Sequence, residues 1–208
     1  MHVEATPNQF FESLLPKITH YVKSDYKETW MAVKEKRLEK HKLYLKQIPF
    51  CDFKVFDSIL KSIPNYSILH VGNSSAIRYT QLFSVNKTLE VYCNRGTSGI
   101  DGSTSTAVGF SVVSKKRTVF ITGDLSFLYD SNGLWNNYIP NNFRIIVVNN
   151  QGGGIFRILP GQKDTKNFDT FFETKHDLNA KHLSKMYSID YLSAKTDQQL
   201  KNKLENFY

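Results

Sequence analysis

The chain has 208 residues, 40% of them hydrophobic, and a formal net charge of +8 from 27 Lys and Arg against 19 Asp and Glu. This length suffices for one α/β domain with a substantial core, and no apolar run approaches the ~20 residues needed to cross a bilayer. The first residues lack the basic stretch and apolar core of a signal peptide, and two cysteines without CxxC spacing fit a reduced, cytoplasmic location.

The excess of positive charge is compatible with binding of nucleic acid or of small anionic substrates. The sequence has no arginine-rich tract, zinc-finger spacing or RNA-binding signature, and its six histidines show no metal-ligand spacing. We therefore expect neither nucleic acid nor a membrane among the partners, and we expect the histidines to serve surface or packing roles.

The first 50 residues are predicted to form a helical linker segment that leads into the domain. The stretch TPNQFFESLLPKITHYV favours a first helix with Pro7 near its start. The charged stretch from Lys23 to Lys46 predicts a long amphipathic helix with one solvated face, which Pro49 should end. A third helix is predicted over CDFKVFDSILKSI, and its apolar side consists of Phe53, Phe56, Ile59, Leu60 and Ile63.

Residues 51–208 are predicted to form an α/β domain. Four short apolar runs each end in a small or polar cluster, namely YSILHVGNSS, LEVYCNRGTSGIDG, RTVFITGDLS and FRIIVVNNQGGG. Segments of helical length, SSAIRYTQLF, STSTAVGFSVVS and SNGLWNNYI, separate them, and the last unit, HLSKMYSIDYLSAKTDQQLKNKLENF, is typical of helix, strand and helix. Apolar strands that alternate with helices predict a mainly parallel sheet covered on both faces, a three-layer α/β/α architecture preceded by the N-terminal helices.

The polar clusters are expected to converge at one edge of the sheet, because crossover connections place the carboxyl ends of parallel strands on the same side. Gly123-Asp124 ends one run, and Asn149-Asn150 with three glycines ends the next. Asp124 and Asn150 offer hard oxygen ligands to Mg²⁺, a backbone carbonyl of the glycine stretch offers a third, and phosphate oxygens often complete such a shell. The pattern favours a metal-bridged diphosphate, although each cluster by itself is also typical of a helix N-cap, a turn or a flexible loop.

The spacing of the polar clusters indicates which class of diphosphate-containing cofactor the chain would bind. The sequence has neither GxxxxGK[ST] nor GxGxxG after a strand. Gly123-Asp124, followed by 24 residues (125–148) and then Asn149-Asn150, resembles the thiamin diphosphate motif, with Leu125 where many such enzymes have glycine. Together with Asn94-Arg95-Gly96 and the following SGIDG, the motif resembles the C-terminal region of the 2-succinyl-5-enolpyruvyl-6-hydroxy-3-cyclohexene-1-carboxylate synthases of menaquinone biosynthesis, the MenD family.

This resemblance implies a thiamin diphosphate-binding fold, the diphosphate-binding or PP domain, over residues 51–208. It implies Mg²⁺, or Mn²⁺ in its place, at Asp124, Asn150 and the carbonyl of Gly152, and Ile100 as the apolar wedge that bends the cofactor. The positions that match cofactor contacts are Asn73, Ser74, Ile100, Gly123, Asp124, Leu125, Ser126, Asn150, Gly152, Gly153 and Ile155. The positions that match substrate contacts are Ser74, Arg78, Arg95, Ile155, Phe156 and Leu159.

The resemblance also implies a reaction. Synthases of this family decarboxylate 2-oxoglutarate and add the resulting succinyl-semialdehyde carbanion equivalent to isochorismate. Both substrates are dianions, and a guanidinium such as that of Arg78 or Arg95 grips a carboxylate bidentately. Either arginine is also typical of a surface ion pair.

One essential group of the family is not found in this sequence. The glutamate that activates the cofactor resides in a separate N-terminal pyrimidine-binding domain, and the chain also stops within a predicted helix. We therefore expect a fragment that holds no catalytic glutamate and is inactive alone. The resemblance further implies a homo-oligomer, a dimer or a tetramer, in which the pyrimidine domain of a partner subunit completes the site.

Two alternative functions remain open from the sequence. One is another thiamin diphosphate-dependent lyase, of the acetohydroxyacid synthase or decarboxylase type, which the NRGTSGIDG stretch and Leu125 disfavour. The other is a non-catalytic module that binds anions or nucleic acid through the basic helices. Removing charges between Lys23 and Lys46 would abolish binding by such a module, whereas Asp124 would be dispensable.

Overall fold

The computed structural model describes residues 3–20, 23–161 and 165–208, and it divides the chain into two units, Met1–Gln47 and Ile48–Tyr208. The first unit is helical, with α1 at Pro7–Leu14, a short 3₁₀ helix at Leu15–Lys17 and α2 at Tyr26–Gln47. Within the described ranges, no helix of the chain combines the length and the apolar character needed to cross a membrane.

Helix α1 begins where the sequence predicts. Thr6 caps it, because its side chain accepts a hydrogen bond from the Gln9 amide at 3.3 Å while the Gln9 side chain accepts one from the Thr6 amide at 3.0 Å. Pro7 occupies the first turn, where a missing N–H costs nothing. The predicted stretch also included Tyr21 and Val22, which lie outside the described residues.

Helix α2 confirms the predicted long charged helix and its end before Pro49, but it is not amphipathic. None of its side chains is buried. Its apolar residues lie all around the helix because their spacing does not follow the helical period. Those with large exposed apolar side chains are Tyr26, Trp30, Met31, Val33, Leu38, Leu43 and Tyr44.

The second unit alternates helices with strands, as the sequence predicts. Its regular elements are α3 (Asp52–Ser62), β1 (Ile68–Val71), α4 (Ser75–Thr80), β2 (Glu90–Tyr92), α5 (Ser103–Val113), β3 (Thr118–Gly123), α6 (Asp124–Tyr129), β4 (Phe143–Val148), α7 (Lys181–Met186) and α8 (Asp197–Leu204). Short 3₁₀ helices cover Ser131–Leu134 and Gly154–Arg157, and one π-helical turn covers Phe168–Phe172.

The four strands form a parallel sheet in the order β2-β1-β3-β4. In the register of this sheet Ile68 lies beside Glu90 and Thr118, and Thr118 lies beside Phe143. The predicted parallel arrangement is thereby confirmed, and all four strands end at the same edge. Strand β3 is central and its first five residues are buried.

Helices cover both faces of the sheet, so the three-layer architecture is confirmed. Alternate residues of β3 point to opposite faces: Val119 and Ile121 belong to one buried cluster and Phe120 to another. The first cluster includes the predicted apolar side of α3, where Phe56, Ile59, Leu60 and Ile63 are buried, together with Leu204 of α8. The second includes Ala107 and Val108 of α5 and Phe127 of α6.

Two sequence predictions in this unit are wrong. The predicted strand between α7 and α8 does not form among the described residues, because the Ile189 amide bonds to Ser184 O of α7 at 2.8 Å rather than to β4. The predicted helix over SNGLWNNYI is reduced to the 3₁₀ helix Ser131–Leu134. Helix α6 ends at Asp130, whose backbone is no longer helical, and the Asp130 carboxylate accepts hydrogen bonds from the Ser105 amide and hydroxyl of α5 at 2.8 and 2.5 Å.

His70 of β1 is predicted to make the stability of the chain depend on pH. Its imidazole is buried and packs against the rings of Tyr92 and Phe110, with centroids 5.4 and 5.0 Å away, and burial lowers its pKa from the ordinary 6.5. The unfolded chain therefore binds more protons than the folded chain below about pH 6.5, and stability falls as the pH decreases through that range. The melting temperature of His70→Leu should fall less than that of the wild type between pH 7 and pH 5.

The control for this prediction is His182→Gln, which changes an exposed histidine on α7. Its melting temperatures should follow the wild-type dependence on pH. Equal dependence in wild type and His70→Leu would contradict the role given to His70.

Candidate functional site

Four polar loops meet at the carboxyl edge of the sheet. They follow β1 at residues 72–74, β2 at residues 93–102, β3 at Asp124 and β4 at residues 149–154. Parallel strand ends at such an edge are where open α/β folds bind ligands.

The loops after β3 and β4 are joined directly through Asp124. Its carboxylate is 5% exposed, and Oδ2 accepts a hydrogen bond from the Gly152 amide at 3.0 Å while Oδ1 accepts one from the Leu125 amide at 2.7 Å. Gly123, not Asp124, is the N-cap of α6. The alternative that Asp124 only caps a helix is therefore wrong, because its carboxylate links two loops 28 residues apart.

Asn150 presents an oxygen that has no partner in the described part of the chain. Its Nδ2 donates a hydrogen bond to Asp52 Oδ2 at 2.7 Å. Its Oδ1 is buried and accepts no hydrogen bond from any residue that the structure describes. Leaving a buried polar atom unpaired costs about 1–3 kcal/mol, so this oxygen is available to a cation or a water molecule.

The glycine loop after β4 is held closely against the segment that follows the π-helical turn. Gly152 has φ +146°, and a Cβ at this position would lie 2.6 Å from Glu173 O. The Gly153 amide donates a hydrogen bond to the same carbonyl at 2.5 Å. The Glu173 side chain is almost fully buried and forms an ion pair with Arg157.

Asn73, after β1, organises the loop that follows β2. It is 1% exposed, and its Nδ2 donates hydrogen bonds to Asn94 O at 2.8 Å and Gly99 O at 2.7 Å. Its Oδ1 accepts from Arg95 Nη1 at 2.9 Å and from Cys93 Sγ at 3.4 Å. Asn73 therefore fixes both the backbone of the loop and the guanidinium of Arg95.

Ile100 and Ser126, two of the predicted cofactor residues, are in contact. The Ser126 hydroxyl donates a hydrogen bond to Ile100 O at 2.6 Å, which ties the β2 loop to α6. Ser74 has φ +65°, a conformation that is strained for a residue with a side chain. Strain of this kind clusters at functional sites.

The remaining predicted substrate residues differ in exposure. Ile155 is buried, Phe156 is half-buried with its ring 5.8 Å from that of Phe172, and Leu159 is exposed. Arg78 lies in the last turn of α4, is exposed, and its guanidinium makes no hydrogen bond or ion pair within the described part of the chain. The contacts of the described residues thus join the β1, β2, β3 and β4 loops but do not join Arg78 to them.

Two residues at this edge were missed by the sequence reasoning. Asp52 is the first residue of α3, and its hydrogen bond reaches Asn150 across 98 positions. Burial raises the pKa of the Asp52 carboxyl, while the hydrogen bond from Asn150 opposes that rise. His176 was assigned to surface or packing roles, but its Nε2 lies 3.3 Å from Asp124 Oδ2, without the alignment of a hydrogen bond. No spacing rule could have found either contact.

The donor set fits a divalent cation that prefers oxygen ligands. Asp124 offers a carboxylate, Asn150 its buried Oδ1, and Gly152, with its positive φ, a backbone carbonyl. Among the described residues, no group of three or more His, Cys, Asp or Glu side chains could hold a metal ion. Mg²⁺ prefers six oxygen ligands, so three protein oxygens leave positions that phosphate oxygens and water usually fill.

Comparison with known proteins agrees with this chemistry. The family model "Thiamine pyrophosphate enzyme, C-terminal TPP binding domain" matches residues 70–208. The chain is 55% identical to a 2-succinyl-5-enolpyruvyl-6-hydroxy-3-cyclohexene-1-carboxylate synthase of Flavobacterium psychrophilum, over 98% of this chain and 37% of that protein. It is 55% identical to the synthase of Flavobacterium johnsoniae, over 100% of this chain and 37% of that protein. It is 40% identical to the synthase of Porphyromonas gingivalis, over 95% of this chain and 33% of that protein.

The chain thus spans little more than a third of the length of these curated relatives. Among solved structures, benzoylformate decarboxylase from Polynucleobacter necessarius has a similar fold, with a TM-score of 0.55 and 17% identity over 77% of this chain and 31% of that chain. The resemblance to the MenD family is confirmed by the identities. The chain belongs to the family of C-terminal thiamine pyrophosphate-binding domains of thiamine pyrophosphate enzymes.

Proposed function

We propose that this chain provides the diphosphate- and metal-binding part of a 2-succinyl-5-enolpyruvyl-6-hydroxy-3-cyclohexene-1-carboxylate synthase. The observation that carries the proposal is the contact between Asp124 Oδ2 and the Gly152 amide, because it brings the two halves of the Gly-Asp…Asn-Asn motif together. The 55% identity to synthases of this name supports the choice of reaction.

Asp124, Asn150 and the carbonyl of Gly152 are the groups that would hold Mg²⁺, with Mn²⁺ as a substitute. The preference follows from the chemistry of the donors, which are all hard oxygens. Leu125 and Ser126 would lie along the diphosphate, and Ile100 would support the cofactor in its bent form. When bound, thiamin diphosphate supplies the electron sink that decarboxylation of a 2-oxo acid requires.

Arg78 and Arg95 would bind the carboxylates of 2-oxoglutarate and isochorismate. Arg95 is already oriented, since Asn73 Oδ1 accepts from its Nη1. Arg78 is exposed and its charge is not neutralised by a described residue, so it can pair with an anion. Ser74, Ile155, Phe156 and Leu159 would form the wall against which the substrates lie.

The rest of the proposed enzyme lies outside these 208 residues. We place the glutamate that activates the cofactor in a pyrimidine-binding domain of a partner subunit in a homodimer or homotetramer, with residues 1–50 as linker and 51–208 as the diphosphate-binding domain. The greater length of the relatives supports this division. We also propose a cytoplasmic location, for which two free cysteines are the support.

The test is an assay of the full-length natural protein that carries this sequence. It is incubated with 2-oxoglutarate, isochorismate, thiamin diphosphate and Mg²⁺, and consumption of isochorismate is followed together with release of CO₂. We expect isochorismate to be consumed only when both cofactors are present. The same assay on Arg95→Ala should show an increased KM for the substrates.

Two results would contradict the proposal in different ways. Release of CO₂ without consumption of isochorismate would indicate another thiamin diphosphate-dependent lyase. Activity or ligand binding that needs no thiamin diphosphate, together with loss of binding when the charges of α2 are removed, would favour the anion- or nucleic-acid-binding module.

A further inference from the structure

The two ends of the Asn150 amide lie in different surroundings. Nδ2 is 2.7 Å from Asp52 Oδ2, to which it donates a hydrogen bond. Oδ1 is buried and has no partner among the residues that the structure describes. Of the two ends, only the oxygen can bind a cation.

The Asp52 carboxylate determines the orientation of the Asn150 side-chain amide. In this contact Asp52 Oδ2 is the acceptor and the Asn150 NH₂ is the donor, so the amide oxygen is turned away from Asp52. If the Asn150 amide were rotated by 180°, its Oδ1 would face the carboxylate and two acceptors would repel. Asp52 therefore holds the Asn150 oxygen away from itself.

Asp52 is itself held by the core. It begins α3, after Cys51 as the N-cap, and α3 is anchored by the buried side chains of Phe56, Ile59 and Leu60. The hydrogen bond thus connects a helix that belongs to one buried cluster with the loop after β4. A ligand oxygen supported in this way does not have to be ordered when the cation binds.

We propose that Asp52 is a positioning residue that fixes the Asn150 side chain with its Oδ1 directed at the cation site, an inference that rests on the function proposed above. Outer-sphere partners of this kind hold a ligand in its binding orientation, and losing one typically weakens metal affinity 10- to 100-fold. Asp52 contacts no metal ion or cofactor in this role and acts only through Asn150.

The test measures metal affinity directly. Mn²⁺ is titrated into the full-length natural protein in the presence of thiamin diphosphate, and free Mn²⁺ is counted by electron paramagnetic resonance. Asp52→Ala should bind Mn²⁺ about 10- to 100-fold more weakly than the wild type. The melting temperature without metal is recorded for each variant, so that a merely structural role can be recognised.

Two further variants test whether a loss of Mn²⁺ affinity is specific to Asp52 and to its carboxylate. Asp57→Ala removes another carboxylate of α3, whose partner is the exposed Lys61 one turn away, and should leave Mn²⁺ affinity within about twofold of wild type because its ion pair is made within α3 and not with the Asn150 loop. Asp52→Asn places an NH₂ donor beside its acceptor oxygen, so the Asn150 amide can hydrogen-bond to it in either orientation, and the variant should bind Mn²⁺ more weakly than the wild type. Wild-type affinity in Asp52→Asn would mean that an acceptor-only side chain is not needed to orient Asn150, which would overturn the positioning role.

Failure of this inference is distinguishable from failure of the proposed function. If Asp124→Ala loses Mn²⁺ affinity but Asp52→Ala binds as the wild type does, only the role of Asp52 is overturned. If the wild type binds no Mn²⁺ with thiamin diphosphate, or Asp124→Ala binds as well as the wild type, the proposed metal site itself is wrong. A loss of affinity in Asp52→Ala that merely parallels a loss of folded protein without metal would also overturn positioning.

Discussion

Asp124→Ala should abolish the Mg²⁺-dependent binding of thiamin diphosphate while the domain stays folded. The substitution removes the only carboxylate of the proposed donor set, along with the acceptor for the Gly152 amide. Loss of an outer-sphere partner weakens metal affinity 10- to 100-fold, so loss of a direct ligand should cost about 100-fold or more. Isothermal titration with thiamin diphosphate, with and without Mg²⁺, measures the effect on the full-length natural protein.

The matched control for Asp124→Ala is Asp177→Ala. Asp177 is an exposed carboxylate beside His176, whose amide donates to Gln151 O at 3.4 Å, so it lies near the same loop. Its removal should leave affinity and Mg²⁺ dependence unchanged. Circular dichroism should show that both variants are folded. Wild-type affinity with the same Mg²⁺ dependence in Asp124→Ala would mean that the metal assignment is wrong.

Gly152→Ala should disrupt both the fold near the site and its ability to bind the cofactor. At φ +146° a side chain is strained, at a cost of about 1–3 kcal/mol. The new Cβ would also lie 2.6 Å from Glu173 O, a backbone atom that cannot move aside without displacing the loop. With about 2–4 °C of melting temperature per kcal/mol for a chain of this size, we expect a decrease of roughly 5 °C or more.

Gly152→Ala should also weaken the binding of Mn²⁺ with thiamin diphosphate. Movement of the loop would displace the Gly152 carbonyl and the amide that bonds Asp124, so affinity for Mn²⁺ with thiamin diphosphate should fall at least tenfold, by the magnitude typical of disturbed metal sites. Gly109→Ala is the control, because a Cβ at this exposed position of α5 meets nothing within 4 Å. It should be neutral or stabilising. A Gly152→Ala protein that melts and binds like the wild type would contradict the close approach of the two loops.

The candidate site is formed where three parts of the chain meet. Parallel strands β3 and β4 end side by side, with Gly123 beside Val148 in register, which brings Asp124 next to the glycine loop. Helix α3 then contributes Asp52 from a distant part of the sequence, and the segment at Glu173 closes over the glycines. The strand ends therefore place the donors, and the surrounding elements orient them.

The fold class could be predicted because it depends on local patterns. The apolar runs that became β1 to β4 and the helical spacing of Phe56, Ile59 and Leu60 are visible without any knowledge of contacts. The prediction of a strand between α7 and α8 was wrong because strand pairing does not depend on local pattern alone. Whether a short apolar run pairs with a sheet depends on a neighbouring strand, and here the Ile189 amide found its acceptor in α7.

The sequence alone determined the chemistry of the site: a carboxylate, an amide and glycines, each after a strand and at the spacing of a thiamin diphosphate motif. The rule that parallel strands share one edge was enough to expect Asp124 and Asn150 near each other. Only the tertiary structure decided which end of the Asn150 amide faces Asp52 and which residues hold the loop. Asp52 and His176 lie far from these donors along the chain, and long-range contacts depend on how helices and loops pack, which no local pattern encodes.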